Sequence, residues 1–427
     1  MAAYVIFNII SLTRLLQFYH MSLCKKNILI ITTWSFSDAL IQTYTLPYLW
    51  LIRKYLDSHQ KIFLVTSEKD KSKCSIDKIE AFNAQNKQVN ISIIALQYRS
   101  YGIRKIFSSG LQSLYLLLLI YRNNIDTIHC FGTPSGAIGV ILSIFTNTKL
   151  VIDSYEPHAE SMLENGTWSK TSSAYIILSF LEKLQTYKAI CFIATTSGMR
   201  SYATHRYGLV PKNFYVKPAC VDLNMFHFEH ETLNLKRELQ LEQKIICVYA
   251  GKLGGIYLDK EIADFIAAGF SLLGNRFRFL LLTSSKTKEF LLHLQSLNVP
   301  NEVVITRFIP HHEIPVWLNL ADFAINPVKP VPSKRYCTSI KDGEYWATGL
   351  PVVITKDISD DSQIIAENQI GYVLKDLCEA EYKNAIVAIL EQKKKCGEFT
   401  LKQKIRGIAK QYRGFDHSEA IYCKIYS

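Results

Sequence analysis

The sequence predicts an α/β protein built from two doubly wound domains, each with a parallel sheet. Its 427 residues exceed what one ordinary hydrophobic core supports and suit two domains of about 200 residues each. Short apolar, β-branched runs alternate with longer amphipathic stretches, which is typical of parallel strands joined by helices. A hydrophobic content of 48% with 20% charged residues describes a globular chain. We therefore place one domain at residues 1–225 and a second at 226–412.

Buried-strand patterns follow one another through the first domain. The predicted strands are 27–33, 61–66, 89–96, 126–129, 149–153, 189–195 and 213–218. The helix predicted over 39–56 contains Pro47, which implies a kink. Residues 101–124 hold an apolar run with basic ends, too short to cross a bilayer. This run predicts either a buried helix or one that lies in a membrane interface.

The second domain repeats the same alternation. Strands are predicted at 244–250, 277–282, 303–305, 323–326 and 351–355, with charged helices after residue 374. The first strand runs into Gly251–Gly255, where glycines let a backbone approach a ligand closely. The G-x-G-x-x-G spacing is absent, which counts against a dinucleotide. Arg307, just after another predicted strand, could reach a phosphate.

The most informative stretch is TSIKDGEYWATGLPVVIT, residues 338–355. Ser339 is a good N-cap, and Asp342 stands three residues later, as in a capping box. A short helix over 340–348 would then expose free backbone N–H groups, a natural seat for a phosphate. Lys341 adds a positive charge there, and Glu344 can accept hydrogen bonds from a ribose diol. This arrangement predicts a nucleotide site.

Four blocks of the chain resemble the GT-B glycosyltransferases of the group 1, or family 4, retaining type. They are SIKDGEYWATGLPVV, VYAGKLGGIYLDKEIADF, VPSKRYC and the Cys220-Val-Asp222 segment with Phe226. The resemblance implies two Rossmann-like domains that face each other across a cleft, with residues 413–427 returning to the first domain. Three positions depart from the family pattern: Tyr336 replaces a frequent glutamate, Lys252 an arginine, and Tyr257 stands near a family lysine.

By this resemblance the second domain would hold a nucleotide-sugar donor and the first an acceptor. The residues expected at the donor are Gly251, Lys252, Gly254, Arg307, Ser339, Ile340, Lys341 and Glu344. A UDP- or GDP-sugar would be the substrate, and we expect no obligatory metal or other cofactor.

Polar residues also gather where two predicted strands of the first domain end. Glu156 and His158 follow the strand 149–153, and His129 ends the preceding strand. Strand carboxyl ends face the cleft in doubly wound sheets. Because the family often places a first-domain histidine near the reacting sugar, we predict that His158 contacts a substrate, with His129 as a second candidate. Glu156 is either a base or a helix cap.

Charge is distributed unevenly along the chain. Residues 1–224 contain 23 lysines and arginines against 13 acidic residues, a net charge of +10, whereas the remainder has 26 against 24, or +2. A basic first half suggests an anionic partner. No nucleic-acid motif accompanies the charge, so we expect peripheral contact with an anionic membrane or, alternatively, simply solvated surfaces.

Ten scattered cysteines, without C-x-x-C pairs, argue against a zinc site and for a reducing, cytoplasmic compartment. Residues 1–20 fit a signal peptide poorly; they are either an upstream start choice or an extension that touches a membrane. The prediction as a whole is sugar transfer to a glycan or lipid-linked acceptor, in surface polysaccharide or glycolipid synthesis, with retention. The alternatives are a non-catalytic GT-B-like binding protein and a nucleotide-sugar epimerase.

Overall fold

The computed structural model describes residues 27–69, 73–98, 103–211, 213–228 and 232–427. The N-terminal extension considered for residues 1–20 lies outside this part of the chain. Two parallel sheets of seven and six strands, each covered by helices on both faces, make up the described structure. This confirms the α/β, doubly wound class expected from the alternating pattern.

The first sheet has the strand order β3-β2-β1-β4-β5-β6-β7. Its strands are β1 Asn27–Ile31, β2 Ile62–Glu68, β3 Ile91–Gln97, β4 Ile125–Phe131, β5 Lys149–Tyr155, β6 Cys191–Ala194 and β7 Asn213–Val216. All neighbours run parallel, and apolar clusters fill both faces, which is why the strands are nearly continuous apolar runs. Strand order reverses between β1 and β4, the place where such sheets open a crevice.

Helices join these strands. They are α1 Leu46–Lys54, α2 Lys73–Gln85, α3 Ile103–Arg122, α4 Thr133–Thr146, α5 His158–Glu164, α6 Ser173–Lys188 and α7 Met199–Tyr207. A π-helical turn, Ile41–Thr45, precedes α1 and places Pro47 in the first turn of α1. The helix therefore changes from π to α geometry at the position of the predicted kink. Pro47, which has no N–H, lies in the first turn of α1, where that donor is not needed.

The second sheet has the order β10-β9-β8-β11-β12-β13, again with parallel neighbours. Its strands are β8 Ile245–Ala250, β9 Phe277–Leu282, β10 Val304–Arg307, β11 Phe323–Asn326, β12 Val352–Thr355 and β13 Gly371–Leu374. The helices of this half are α8 Leu233–Glu238, α9 Lys260–Leu273, α10 Lys288–Ser296, α11 Ile314–Leu318, α12 Ile340–Ala347, α13 Asp361–Asn368, α14 Glu379–Cys396 and α15 Glu398–Arg413. The order reverses between β8 and β11.

The last helix, α16 Phe415–Tyr426, packs against α1 of the first domain. The chain therefore passes between the sheets twice, near residue 220 and again at Arg413. The two passages lie side by side, because the Val221 N–H donates to the Arg413 carbonyl at 2.9 Å and the Arg413 guanidinium donates to the Ala219 carbonyl at 3.2 Å. Among the described residues, no helix is both long and apolar enough to cross a membrane.

Candidate active site

The second domain brings a glycine loop and a helix N-terminus together at the carboxyl edge of its sheet. β8 leads into the loop at residues 251–255, and the chain after β11 leads into α12. Tyr345 of α12 is fully buried, and its hydroxyl accepts a hydrogen bond from the Ala250 N–H at 3.0 Å. This bond fixes α12 against the end of β8, at the point where the strand order reverses.

Lys341, in the first turn of α12, reaches across the glycine loop. A Cβ at Gly251 would overlap Cε of Lys341 and the Tyr249 hydroxyl, so glycine leaves room for both side chains in their present positions. The Lys341 ammonium donates to the Tyr257 hydroxyl at 2.7 Å and lies 4.4 Å from the centre of that ring. The structure thus brings the two predicted residues together and adds Tyr257 to them.

The capping box predicted at the start of α12 is wrong. Ser339 occupies the N-cap position with extended backbone geometry, but its side chain makes no capping hydrogen bond. Asp342 is fully buried and accepts a hydrogen bond from the Asn326 amide at 2.7 Å instead of turning back to Ser339. Burial and the neighbouring Asp361 raise the pKa of Asp342 well above its ordinary value. The first N–H groups of α12, including that of Ile340, therefore lack an intrahelical acceptor.

Glu344 lies one turn further along α12 and is almost fully buried. One of its carboxylate oxygens is 2.9 Å from Nε2 of His311, which packs on the Phe226 ring with centroids 5.5 Å apart. His311 is more open, with 39% of its side chain exposed against 9% for Glu344. The contact with His311 thus holds the Glu344 carboxylate in one orientation.

Three further predicted residues lie in the Gly251 loop or at the end of a strand of the same sheet. Gly254 has φ +74°, a left-handed conformation that favours glycine. Lys252 has an exposed side chain, while its carbonyl accepts a hydrogen bond from the Tyr249 hydroxyl at 2.6 Å. Arg307 ends β10 and is exposed; its guanidinium donates to the Thr306 carbonyl at 3.0 Å. In the described part of the chain, no group of three or more histidine, cysteine or acidic side chains is arranged to hold a metal.

The first domain contributes a second polar cluster, which touches the second domain. Nδ1 of His158 lies 3.2 Å from one oxygen of Glu156, and the Cys337 thiol donates to the other oxygen at 3.0 Å. Lys334 is buried nearby and donates to the Ser161 hydroxyl at 3.0 Å. His158 and Glu156 therefore stand at the contact between the domains, a few residues from the start of α12.

The pKa of Glu156 reflects these neighbours. Burial raises it, but the hydrogen bond and charge of His158, the charge of Lys334 and the Cys337 thiol outweigh burial and lower the pKa to about 2. The carboxylate is consequently ionised at neutral pH and acts as a hydrogen-bond acceptor. It does not cap α5, because its bonds go to His158 and Cys337.

His129 does not reach the cleft. Its side chain has no exposed surface; Nδ1 lies 2.6 Å from the Tyr426 hydroxyl and Nε2 lies 3.3 Å from Asp153. Asp153 also pairs with the buried Lys217 at 2.9 Å. The geometry thus corrects the expectation of a substrate contact at His129, since one ring nitrogen contacts Tyr426 of α16 and the other contacts Asp153 of β5.

The sequence analysis assigned no role to three residues of these two clusters, His311, Lys334 and Cys337, and it named Tyr257 only as a departure from the family pattern. The neighbouring His312 points away from Glu344, to Glu313. Lys334 and Cys337 belong to the VPSKRYC block, so the family resemblance indicated this segment as part of a site but did not indicate its contacts. Their contacts with Ser161 and Glu156 span more than 170 residues, and no local pattern reports such contacts.

Comparison with known proteins agrees with this geometry. Residues 244–392 match the family described as Glycosyl transferases group 1. No curated protein matches the sequence.

Three solved structures illustrate the likeness of the whole chain, and at such identities it concerns the fold. HepE from Anabaena, in complex with UDP, is 14% identical with a TM-score of 0.68, covering 93% of this chain and 98% of that chain. Sucrose-phosphate synthase from Thermosynechococcus elongatus is 15% identical with a TM-score of 0.70, covering 94% and 98%. WaaG, a glycosyltransferase involved in lipopolysaccharide biosynthesis, is 14% identical with a TM-score of 0.67, covering 92% and 99%. The predicted GT-B fold is confirmed, and residues 244–392 match the group 1 glycosyltransferases.

Proposed function

We propose that the protein transfers a sugar from a UDP- or GDP-sugar, bound by residues 226–412, to an acceptor bound by residues 1–225 and 413–427. One observation carries the proposal: the open first turn of α12, the Gly251 loop and the Glu344 carboxylate converge at the carboxyl edge of the second sheet. A nucleotide needs this combination, because it presents a diphosphate at one end and a ribose diol next to it.

The diphosphate would bind at the N-terminus of α12. The N–H groups of Ser339, Ile340 and Lys341 present donors and the positive end of the helix dipole. The Lys341 ammonium lies beside the Gly251 loop, where glycine lets a phosphate approach the backbone. Lys252 would add positive charge within the same loop, and Arg307 would add it from the end of β10, two strands away. Glu344, held by His311 through one oxygen, would accept hydrogen bonds from the ribose.

Transfer would proceed by positioning and charge stabilisation. Negative charge develops on the diphosphate as the bond to the sugar breaks, and the start of α12 with Lys341, Lys252 and Arg307 would stabilise it without an obligatory metal. His158, paired with the ionised Glu156 at the domain contact, would contact the sugar or the acceptor. Retention of configuration rests on the family resemblance.

The acceptor is proposed to be a glycan or lipid-linked glycan in surface polysaccharide or glycolipid synthesis. The basic first half and the similarity to WaaG support this assignment. The protein would then work in the cytoplasm, peripherally on the inner face of a membrane. Among the donors, the UDP complex of HepE favours a UDP-sugar.

A thermal-shift panel with UDP, GDP, ADP and CMP tests the donor site. At 100 times its dissociation constant, a nucleotide stabilises a protein by roughly 2.7 kcal/mol, which is readily measured. We expect UDP or GDP to raise the Tm of the wild type. Glu344→Gln removes one charged acceptor, so nucleotide affinity should fall roughly ten- to hundredfold, as for a lost hydrogen bond worth about 1.5–3 kcal/mol.

Glu302→Gln is the matched control, because Glu302 is an exposed glutamate of the same domain. It should respond to nucleotide like the wild type. If no nucleotide stabilises the wild type, or if Glu344→Gln binds as tightly as the wild type, the proposed donor site is wrong.

A further inference from the structure

Three helices of the first domain expose apolar side chains on their outer faces. On α3, α4 and α6 the spacing of these residues is close to one helical turn, so each helix has an apolar stripe turned to solvent. Their exposed fractions run from 40% to 64%, and we call them together the apolar face: Leu111, Leu114, Tyr115, Leu118, Ile141, Ile144, Phe145, Ile176, Ile177, Phe180 and Tyr187.

The three stripes adjoin one another. Tyr121 near the end of α3 donates from its hydroxyl to the Phe145 carbonyl of α4 at 3.0 Å. α4 and α6 approach closely at Gly136, where a Cβ would overlap the Gln185 side chain, and Gln185 donates to the Thr133 carbonyl at 3.1 Å. Eleven exposed apolar side chains on three adjoining helices form a contiguous surface, and a surface of this kind marks an interaction site.

The charged side chains described as exposed on these helices are all basic. α3, α4 and α6 together contain five basic residues, of which Arg122, Lys183 and Lys188 are exposed and Arg104 and Lys105 begin α3. Their single acidic residue, Glu182, is buried, where its carboxylate accepts hydrogen bonds from the Ala159 N–H at 2.9 Å and the Tyr207 hydroxyl at 3.0 Å. The apolar face therefore stands among basic side chains without an exposed acidic one on the same helices.

We propose that the apolar face binds the surface of an anionic phospholipid bilayer. Helices that lie in a membrane interface typically combine an apolar stripe with basic residues and few acidic ones. Their apolar side chains enter the boundary between headgroups and acyl chains. A second copy of the chain is a poorer partner, because an isologous contact would bring the exposed Arg122, Lys183 and Lys188 against the same three residues of the other copy. A net charge of +10 over residues 1–224 attracts the same lipid surface.

This inference rests on the proposed peripheral location at a membrane and deepens it, because it names the surface that makes the contact, separate from the donor site. Membrane binding through the apolar face would also orient the cleft relative to the bilayer. Tyr175 in the first turn of α6 donates to Glu160 of α5 at 2.7 Å, and α5 carries His158. One end of the apolar face is thus next to the acceptor side of the cleft, so a lipid-linked acceptor would have a short path.

Vesicle co-sedimentation of the full chain tests the inference. The probes are vesicles of phosphatidylglycerol and phosphatidylcholine in equal parts, and vesicles of phosphatidylcholine alone. We expect the wild type to sediment with the anionic vesicles and to be released from them by salt. The variant Ile177→Ser/Phe180→Ser, and separately Leu114→Ser/Leu118→Ser, should weaken binding at least about tenfold, because each removes two apolar side chains from the lipid boundary.

The double variant Leu292→Ser/Phe399→Ser is the control, since both residues are exposed to a similar extent, 55% and 62%, on the second domain. It should bind vesicles like the wild type, and the Tm of every variant checks folding. Absence of wild-type binding to anionic vesicles, or equal binding by all variants, would overturn the inference. Dimerisation abolished by the same two test variants would assign the face to a second copy instead. UDP or GDP binding, measured in parallel, separates failure here from failure of the donor site.

Discussion

At the scale of single residues, the pairing of His311 with Glu344 decides how the proposed ribose contact is oriented. His311→Ala should free the carboxylate to rotate and lower nucleotide affinity about five- to tenfold, the effect of one hydrogen bond worth roughly 1–1.5 kcal/mol. His311→Gln keeps a donor within reach of the carboxylate and should restore most of the affinity. Isothermal titration with the nucleotide identified in the thermal-shift panel measures both variants. Equal losses for Ala and Gln would mean that His311 only fills space next to Phe226.

Candidate site residues could be proposed from the sequence where the pattern is local, but not where it depends on residues far apart in the chain. Glu344 and Lys341 follow from their positions in one short helix, and Gly251 from its place after a strand. The partners of these residues could not be predicted. His311 lies 33 residues from Glu344, and Tyr257 lies 84 residues from Lys341, so only the folded sheet brings them together.

At the scale of elements, α16 is held to the first sheet by buried polar contacts as well as by apolar ones. Tyr422 is fully buried and donates to Asp153 at 2.6 Å, beside the ion pair of Asp153 with Lys217. Burial raises the pKa of Asp153, but Lys217, His129 and Tyr422 outweigh burial and lower it to about 2. Because this pKa is lowered in the folded state, the stabilisation is complete above the unfolded pKa of about 4 and is lost as pH falls towards 2.

Tyr422→Phe should therefore destabilise the protein by about 1–3 kcal/mol at neutral pH, since it removes one donor from a buried carboxylate. The expected result in differential scanning calorimetry is a Tm lower by several degrees, with a smaller difference from the wild type near pH 3. Tyr187→Phe, which removes an exposed hydroxyl, should change stability by less than about 0.5 kcal/mol. A Tyr422→Phe protein with wild-type Tm at neutral pH would show that the hydroxyl contributes nothing.

Element prediction from the sequence located every strand except β13, because β-branched apolar runs bounded by polar residues have few alternatives in a doubly wound α/β chain. Phe277–Leu282 and Phe323–Asn326 match the predicted ranges residue for residue. The start of α12 was harder. A capping box was expected from Ser339 and Asp342, yet Asp342 is drawn into the core by Asn326, a partner 16 residues away.

At the scale of the whole molecule, Tyr336 joins the two domains at the position where the family often has a glutamate. Its ring packs on Tyr202 with centroids 4.9 Å apart, and its carbonyl accepts a hydrogen bond from the Thr195 hydroxyl at 3.1 Å. Tyr336→Ala should weaken the contact between the domains. A double-mutant cycle with Tyr202→Ala should give a coupling energy of about 0.5–1.5 kcal/mol in urea unfolding.

Small-angle scattering of the same variants gives an independent measurement. A looser contact should increase the radius of gyration of Tyr336→Ala relative to the wild type, whereas Tyr98→Phe, which keeps the ring of an exposed tyrosine, should not. Unchanged scattering together with zero coupling would show that the aromatic contact does not hold the domains together.

The return of α16 to the first sheet has a consequence for the order in which the protein can fold during synthesis. Because α16 follows the second domain in the chain, the ribosome completes residues 226–412 before it releases the last helix of the first domain. Until then Asp153 and His129 lack their tyrosine hydroxyl partners, and the face of α1 that receives α16 stays uncovered. The second domain can mature as a unit on the nascent chain, whereas the first is completed only when its final residues emerge.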